Sequence, residues 1–92
     1  MSKQPALNLY ILPLDVEIEE CIATILEVSK HPFETYQASV QVKCGDAVSN
    51  IFHIEYKDGK ELRRKLEVEV SKFKYVLFLY GKDELRRRKI II

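Results

Sequence analysis

The sequence predicts an α+β fold: one amphipathic helix, about residues 15–30, packed on an antiparallel meander of about five strands over residues 35–92. A further N-terminal strand is expected to join a sheet edge. Three observations lead to this reading. Asp15–Lys30 carries apolar residues at helical phase, Thr35–Cys44 alternates apolar and polar residues without a break, and Val48–Ile92 reads as two successive hairpins written to one template. The alternative is an all-β small barrel of oligonucleotide-binding type, with Val16–Val28 as a long strand. Ninety-two residues suit a single domain, 1–92.

Leu7, Leu9 and Ile11 alternate within Ala6–Leu12, which predicts a strand closed by Pro13. In the next segment, Ile18, Cys21, Ile22, Ile25, Leu26 and Val28 share an arc of about 160° on a helical wheel. Glu17, Glu19, Glu20, Thr24, Glu27 and Lys30 fall outside that arc. Asp15 suits an N-cap, the glutamates suit the positive end of the helix dipole, and Lys30, His31 and Pro32 suit its end. The many β-branched residues of the segment suit a strand equally.

Thr35–Cys44 sets Tyr36, Ala38, Val40, Val42 and Cys44 on one face and Thr35, Gln37, Ser39, Gln41 and Lys43 on the other. That is a half-buried strand with a wet face. Gly45-Asp46 turns the chain.

The two hairpins repeat at about 24 residues. Each has an apolar run ending in Tyr (Asn50–Tyr56, Lys74–Tyr80), a turn with Gly and Asp, and a returning Glu-Leu-Arg-Arg (Glu61–Arg64, Glu84–Arg87). In the first, the apolar positions Val48, Phe52, Ile54, Tyr56, Leu62, Leu66, Val68 and Val70 are all even-numbered. Opposed residues of a hairpin share a face, so a bulged loop Lys57-Asp58-Gly59, with Gly59 left-handed, pairs Ile54 with Leu62 and Val48 with Val68. After a Ser71-Lys72 link, Phe73, Tyr75, Leu77 and Leu79 join the core, while Lys74 opposes Glu69. Val76, Phe78 and Tyr80 then face outward. The terminal Ile90-Ile91-Ile92 needs a cover, because a bare apolar edge aggregates.

Charged residues are 32% of the chain but the net charge is only +1, which argues against a general nucleic-acid coating protein. High Lys, Glu and Arg beside three Gln and two Asn is the bias of hyperthermophile proteins. No apolar run approaches the ~18 residues of a membrane span, and the N-terminus lacks a signal-peptide layout. The expectation is a cytoplasmic protein with no membrane partner. Cys21 and Cys44 set no disulfide framework; they read as buried thiols in a mesophile's cytosol, or as a bridge in a hyperthermophile.

One constellation stands out. On the expected outer face Ile51, Val76, Phe78 and Tyr80 lie among Arg63, Lys65, Arg86 and Arg88. Aromatic residues among cations suit single-stranded nucleic acid, apolar residues on an outer face suit a subunit interface, and the third alternative is that the N-terminal strand or a loop of the same chain covers this face. On strands the runs Arg63-Arg64-Lys65 and Arg86–Lys89 split between faces, and Glu61, Glu67, Glu69 and Glu84 repel phosphate. His31, His53, Cys21, Cys44 and Asp46 have no metal-ligand spacing. Gly45, Gly59 and Gly81 sit at turns and form no phosphate loop, and neither Cys nor any Ser is placed as a nucleophile. The sequence therefore predicts no catalytic residue, metal or cofactor. It predicts a small non-enzymatic interaction module whose partner is itself, a homo-oligomer, with single-stranded nucleic acid as the alternative partner.

Overall fold

Asp15–Lys30 folds as most of a β-hairpin and contains no helix. In the computed structural model, which describes residues 11–92, β1 (Leu14–Ile18) pairs antiparallel with β2 (Cys21–Lys30) across a turn at Glu19-Glu20. Two local irregularities explain the helical look of the sequence. The two-residue turn places Ile18 opposite Cys21, both buried, at a spacing of three. A bulge at Leu26 then shifts the register between Ile25 and Glu27, so that Ile25 and Val28 both face the core, again three apart. Ile22 and Leu26 are half-buried on the other face. The wheel thus merged residues from two faces of a sheet. The β-branched content was the better guide.

β3 (Tyr36–Cys44) forms where its alternation predicts, with Ala38, Val40 and Val42 at 0–1% exposure. The Gly45-Asp46 turn follows, with Gly45 at φ 63, where a side chain is strained. β4 (Ala47–Val48) and β5 (Phe52–Tyr56) then pair in succession along the same edge of β3. The five-stranded sheet has the order β1-β2-β3-β4, with β5 also on β3, and does not close into a barrel. The strand expected over Ala6–Leu12 falls mostly outside the described residues; Ile11 and Leu12 lie in a bend.

The expected meander ends at Tyr56. Its remainder is one helix, α1 (Gly59–Arg87). Asp58-Gly59 is a helix start in place of the bulged loop. The Asp58 side chain accepts the Glu61 amide hydrogen at 2.9 Å, and the Glu61 carboxylate accepts the Lys57 amide hydrogen at 2.7 Å, a capping arrangement of Asp and Glu three residues apart. The Lys57 hydrogen bond, reinforced by Lys65 and Arg64, lowers the Glu61 pKa. Asp58→Ala is expected to cost about 1 kcal/mol, read as a melting temperature lower by about 4–8 °C.

Leu62, Leu66 and Val70 are fully buried, with Phe73 packed beside them. Their spacing of four, four and three is helical. Even numbering suited a strand as well, because multiples of four are even. Val68 separates the two readings: the hairpin buries it, and the structure leaves it 50% exposed. Neither expected pairing across the bulged loop exists, and Ser71-Lys72 is no link between strands. Lys74 does not face Glu69; it holds Glu19 at 2.5 Å and Glu20 at 2.9 Å in the β1–β2 turn. These contacts lower the Glu20 pKa and raise that of Lys74. Glu19 has φ 58, unusual without glycine, so a residue 55 positions away braces a turn that its own sequence does not announce.

α1 kinks at Gly81, whose φ 78 and ψ 157 leave the helical region. The second Glu-Leu-Arg-Arg therefore opens a short new helical segment, as the first opens the long one. Lys82 anchors that segment to Asp46 at 2.5 Å, which lowers the Asp46 pKa, and Leu85 packs with Ala47 and Ile91 in a second small core. The helix closes with Ile90 donating to the Leu85 carbonyl and Lys89, at φ 63, to that of Arg86, a Schellman arrangement. The expected cover for the terminal isoleucines is partial. Ile91 is buried and bridges Ser49, and Ile92 donates to the Val48 carbonyl, but Ile90 and Ile92 stay 42% and 63% exposed.

Cys21 and Cys44 are directly paired residues of β2 and β3 and form a disulfide on the core face of the sheet. At the opposite end, Tyr56 stacks on Tyr36, with ring centroids 5.6 Å apart. Burial, and then the neighbouring Tyr36, push the Tyr56 pKa up from 10.0. The fold thus favours the neutral phenol. The associated stability is present below the unfolded pKa and is lost as pH rises through the folded one. Thermal melts from pH 9 to 12 are expected to show a falling midpoint that Tyr56→Phe flattens.

Candidate interaction surface

The sequence-derived surface assumed strands, and the helix redistributes it. Arg63, Lys65, Val76, Phe78, Tyr80 and Arg86 lie on α1, Arg88 caps it, and Ile51 sits 54% exposed in the loop before β5. Arg63 and Lys65 belong to the first third of α1, about 22 Å from Phe78 at ~1.5 Å per residue. There Arg63 pairs with Glu67 at 3.0 Å, and Lys65 pairs with Glu61 at 3.4 Å and donates to the Glu55 carbonyl at 2.7 Å. The other helical members gather near its end. Phe78 is 84% exposed. The Arg88 guanidinium stands 5.0 Å from the centroid of the half-exposed Tyr80 ring. Glu84 pairs with Arg88 at 2.6 Å and with Arg87, and Asp83 pairs with Arg86 at 3.7 Å. Val76 is half-buried against the second core.

Val68, Tyr75 and Leu79, core positions in the hairpin reading, are 50–63% exposed. Spaced by seven and four, they keep within about 40° of one line along the helix. This outer stripe, with Phe78 beside it, lies roughly opposite the inner stripe of Leu62, Leu66, Val70, Phe73 and Leu77. Both stripes follow from the sequence once the segment is read at helical period. Residues 73–80 are apolar at every position except Lys74, and a segment apolar all round is normally covered.

A cavity of about 290 Å³ opens beside this stretch, where α1 passes β3 and the loop before β5. Its walls are Val42, Phe52, Phe73, Val76 and Ile90, and Glu69 and Lys72 line it as well, 3.4 Å from each other. Its other polar groups are already engaged. The Ser49 hydroxyl accepts from the Val42 amide and donates to the Asn50 carbonyl, and the Asn50 side chain donates to the Lys89 carbonyl. Such walls favour an apolar occupant over water.

Charge is segregated along the chain. Residues 72–89 hold seven basic and two acidic side chains, net +5, whereas the remaining residues hold eight and twelve, net −4. On a helix the run Arg86–Arg88 fans over about 200° of the circumference.

Among the described residues no three His, Cys, Asp or Glu side chains converge as metal ligands, and no helix is long and apolar enough to cross a membrane. Compared with protein-family models, with curated proteins and with solved structures, the chain matches none of them.

Proposed function

We propose that this protein is a non-enzymatic interaction module that pairs with a second copy of itself along the outer side of α1. The observation that carries this reading is the exposed stripe of Val68, Tyr75 and Leu79 with Phe78 beside it. These side chains leave on the order of 400 Å² of apolar surface in water. That is within the range for the largest patch of a monomer and about half of the ~800 Å² per partner of a standard interface. The cytoplasmic setting suggested by the sequence agrees with a Cys21–Cys44 bridge in a hyperthermophile, whose intracellular proteins keep disulfides.

A second reading, binding of single-stranded nucleic acid, rests on exposed Phe78 and the Tyr80–Arg88 stack within the net +5 segment. Light scattering with and without an oligonucleotide tests both. Self-pairing predicts a dimer whose dissociation constant rises about 30-fold or more with Phe78→Lys, while circular dichroism stays unchanged. A monomer at every concentration ends this reading. Nucleic-acid binding predicts a complex at low salt that weakens as salt rises; no complex at low salt removes it.

A further inference from the structure

We propose that β5 pairs, along its open edge, with β5 of the second copy, so that the two sheets join across a two-fold axis. This rests on the self-pairing reading above. The register shows which groups the edge offers. Val42 donates its amide hydrogen to the Ser49 hydroxyl, and its carbonyl accepts from the Ser49 amide at 2.8 Å. Even-numbered residues of β3 therefore turn their backbone groups toward β4 and β5, where Val40, Ala38 and Tyr36 meet Phe52, Ile54 and Tyr56. His53 and Glu55 then turn theirs away from the sheet. The Glu55 carbonyl agrees: it accepts from the Lys65 side chain at 2.7 Å, and its second lone pair is still open. Among the described residues no strand lies beyond β5. A groove of about 320 Å³ runs there instead, between β5 and α1, lined by His53, Ile54, Glu55, Lys65, Val68 and Glu69.

The side chains single out a second copy as the strand that fits. An antiparallel pair centred on Ile54 uses the outward groups of both residues in both copies. It sets His53 of each copy opposite Glu55 of the other, so an imidazole N–H meets a carboxylate on each side of the axis. The other open edge, β1, lacks this self-complementarity. The matching pair centred on Val16 sets Asp15 opposite Glu17, acid against acid. Charge thus protects one edge from its own copy and invites the copy at the other. Val68 lines the groove and belongs to the exposed stripe of α1, so edge and stripe form one continuous face.

Amide hydrogen exchange, followed by NMR above and below the dimer dissociation constant, tests the edge directly. The His53 and Glu55 amides are expected to exchange about tenfold more slowly, or slower still, in the dimer. Those of Phe52, Ile54 and Tyr56, held by β3 in both states, should change little. Two substitutions test the register. His53→Glu sets Glu opposite Glu on each side of the axis and is expected to raise the dissociation constant about tenfold. Adding Glu55→Lys restores opposite charges and is expected to bring it back to within about threefold of wild type. Failure of this rescue in a folded double variant overturns the register. The exchange measurement uses the wild-type chain, so it decides even where a variant does not fold. A wild-type dimer in which the two amides exchange no more slowly than in the monomer overturns the strand pairing and leaves self-pairing standing. That holds whether they are open in both states or held in both by another segment of the same chain. A monomeric wild type removes both.

Discussion

Leu66→Ala is expected to destabilise the protein by about 3–4 kcal/mol, and Val68→Ala by less than about 0.5 kcal/mol. Leu66 is fully buried between α1 and the sheet, so truncation opens a cavity among Leu62, Val70 and the apolar faces of β2, β3 and β5. Against a total of ~5–15 kcal/mol, this is a large fraction. The melting temperature should fall by about 12–30 °C for a chain of this size. Val68, two residues away, has half its surface in water and lacks such a neighbourhood. In a strand the two residues share a face and cost alike. In a helix two residues stand about 160° apart on their wheel, so the contrast reports the period directly. Chemical denaturation of the two variants measures it; equal losses would contradict α1 in this segment.

Reduction of the Cys21–Cys44 disulfide should remove about 3 kcal/mol, the loop-closure contribution of a cross-link over a separation of 23 residues. The two half-cystines are direct antiparallel partners with Cα atoms 4.4 Å apart, the spacing of a pair that exchanges no backbone hydrogen bonds. The bridge closes the end of the sheet where the Glu19-Glu20 turn and the Gly45-Asp46 turn lie, each also held by a lysine of α1. Melts with and without reductant are expected to differ by about 12–24 °C. Two thiols titrating in the denatured, unreduced protein would refute the bridge. Cys21 is 2% exposed, so reduction of the folded protein should be slow beside that of the denatured one.

These two results concern the segments where sequence and structure part most widely, and the reasons are specific. In Asp15–Lys30 a two-residue turn and a bulged Leu26 each add the extra residue that turns a spacing of two into three. The signal was a strand hairpin sampled at helical phase. The Glu19-Glu20 turn lacks the Gly or Asn that marks a hairpin; Lys74 of α1 supports it instead. In Asn50–Arg88 the Asp58-x-x-Glu61 start and the 62-66-70-73 spacing were both present. Asp-Gly, and a repeated Glu-Leu-Arg-Arg, resembled two hairpins strongly enough to hide them. The helix also redistributes the candidate surface. Strand parity groups Arg63 and Lys65 with Phe78, and at helical pitch they lie far apart. Tyr80 and Arg88 meet near one helix end, while Phe78, two residues before Tyr80, points about 160° away from it.

The sequence by itself determined the class, one helix on an antiparallel sheet, together with β3 and its turn, because an unbroken alternation of period two admits one reading in any context. It also held both stripes of α1. Only the tertiary structure decided which segment is helix and which is hairpin, because short apolar spacings are shared by the two periods. Packing separates them: Leu62, Leu66 and Val70 are buried together against β2, β3 and β5 only if one is strand and the other helix. The same packing leaves Val68, Tyr75, Phe78 and Leu79 on the outside.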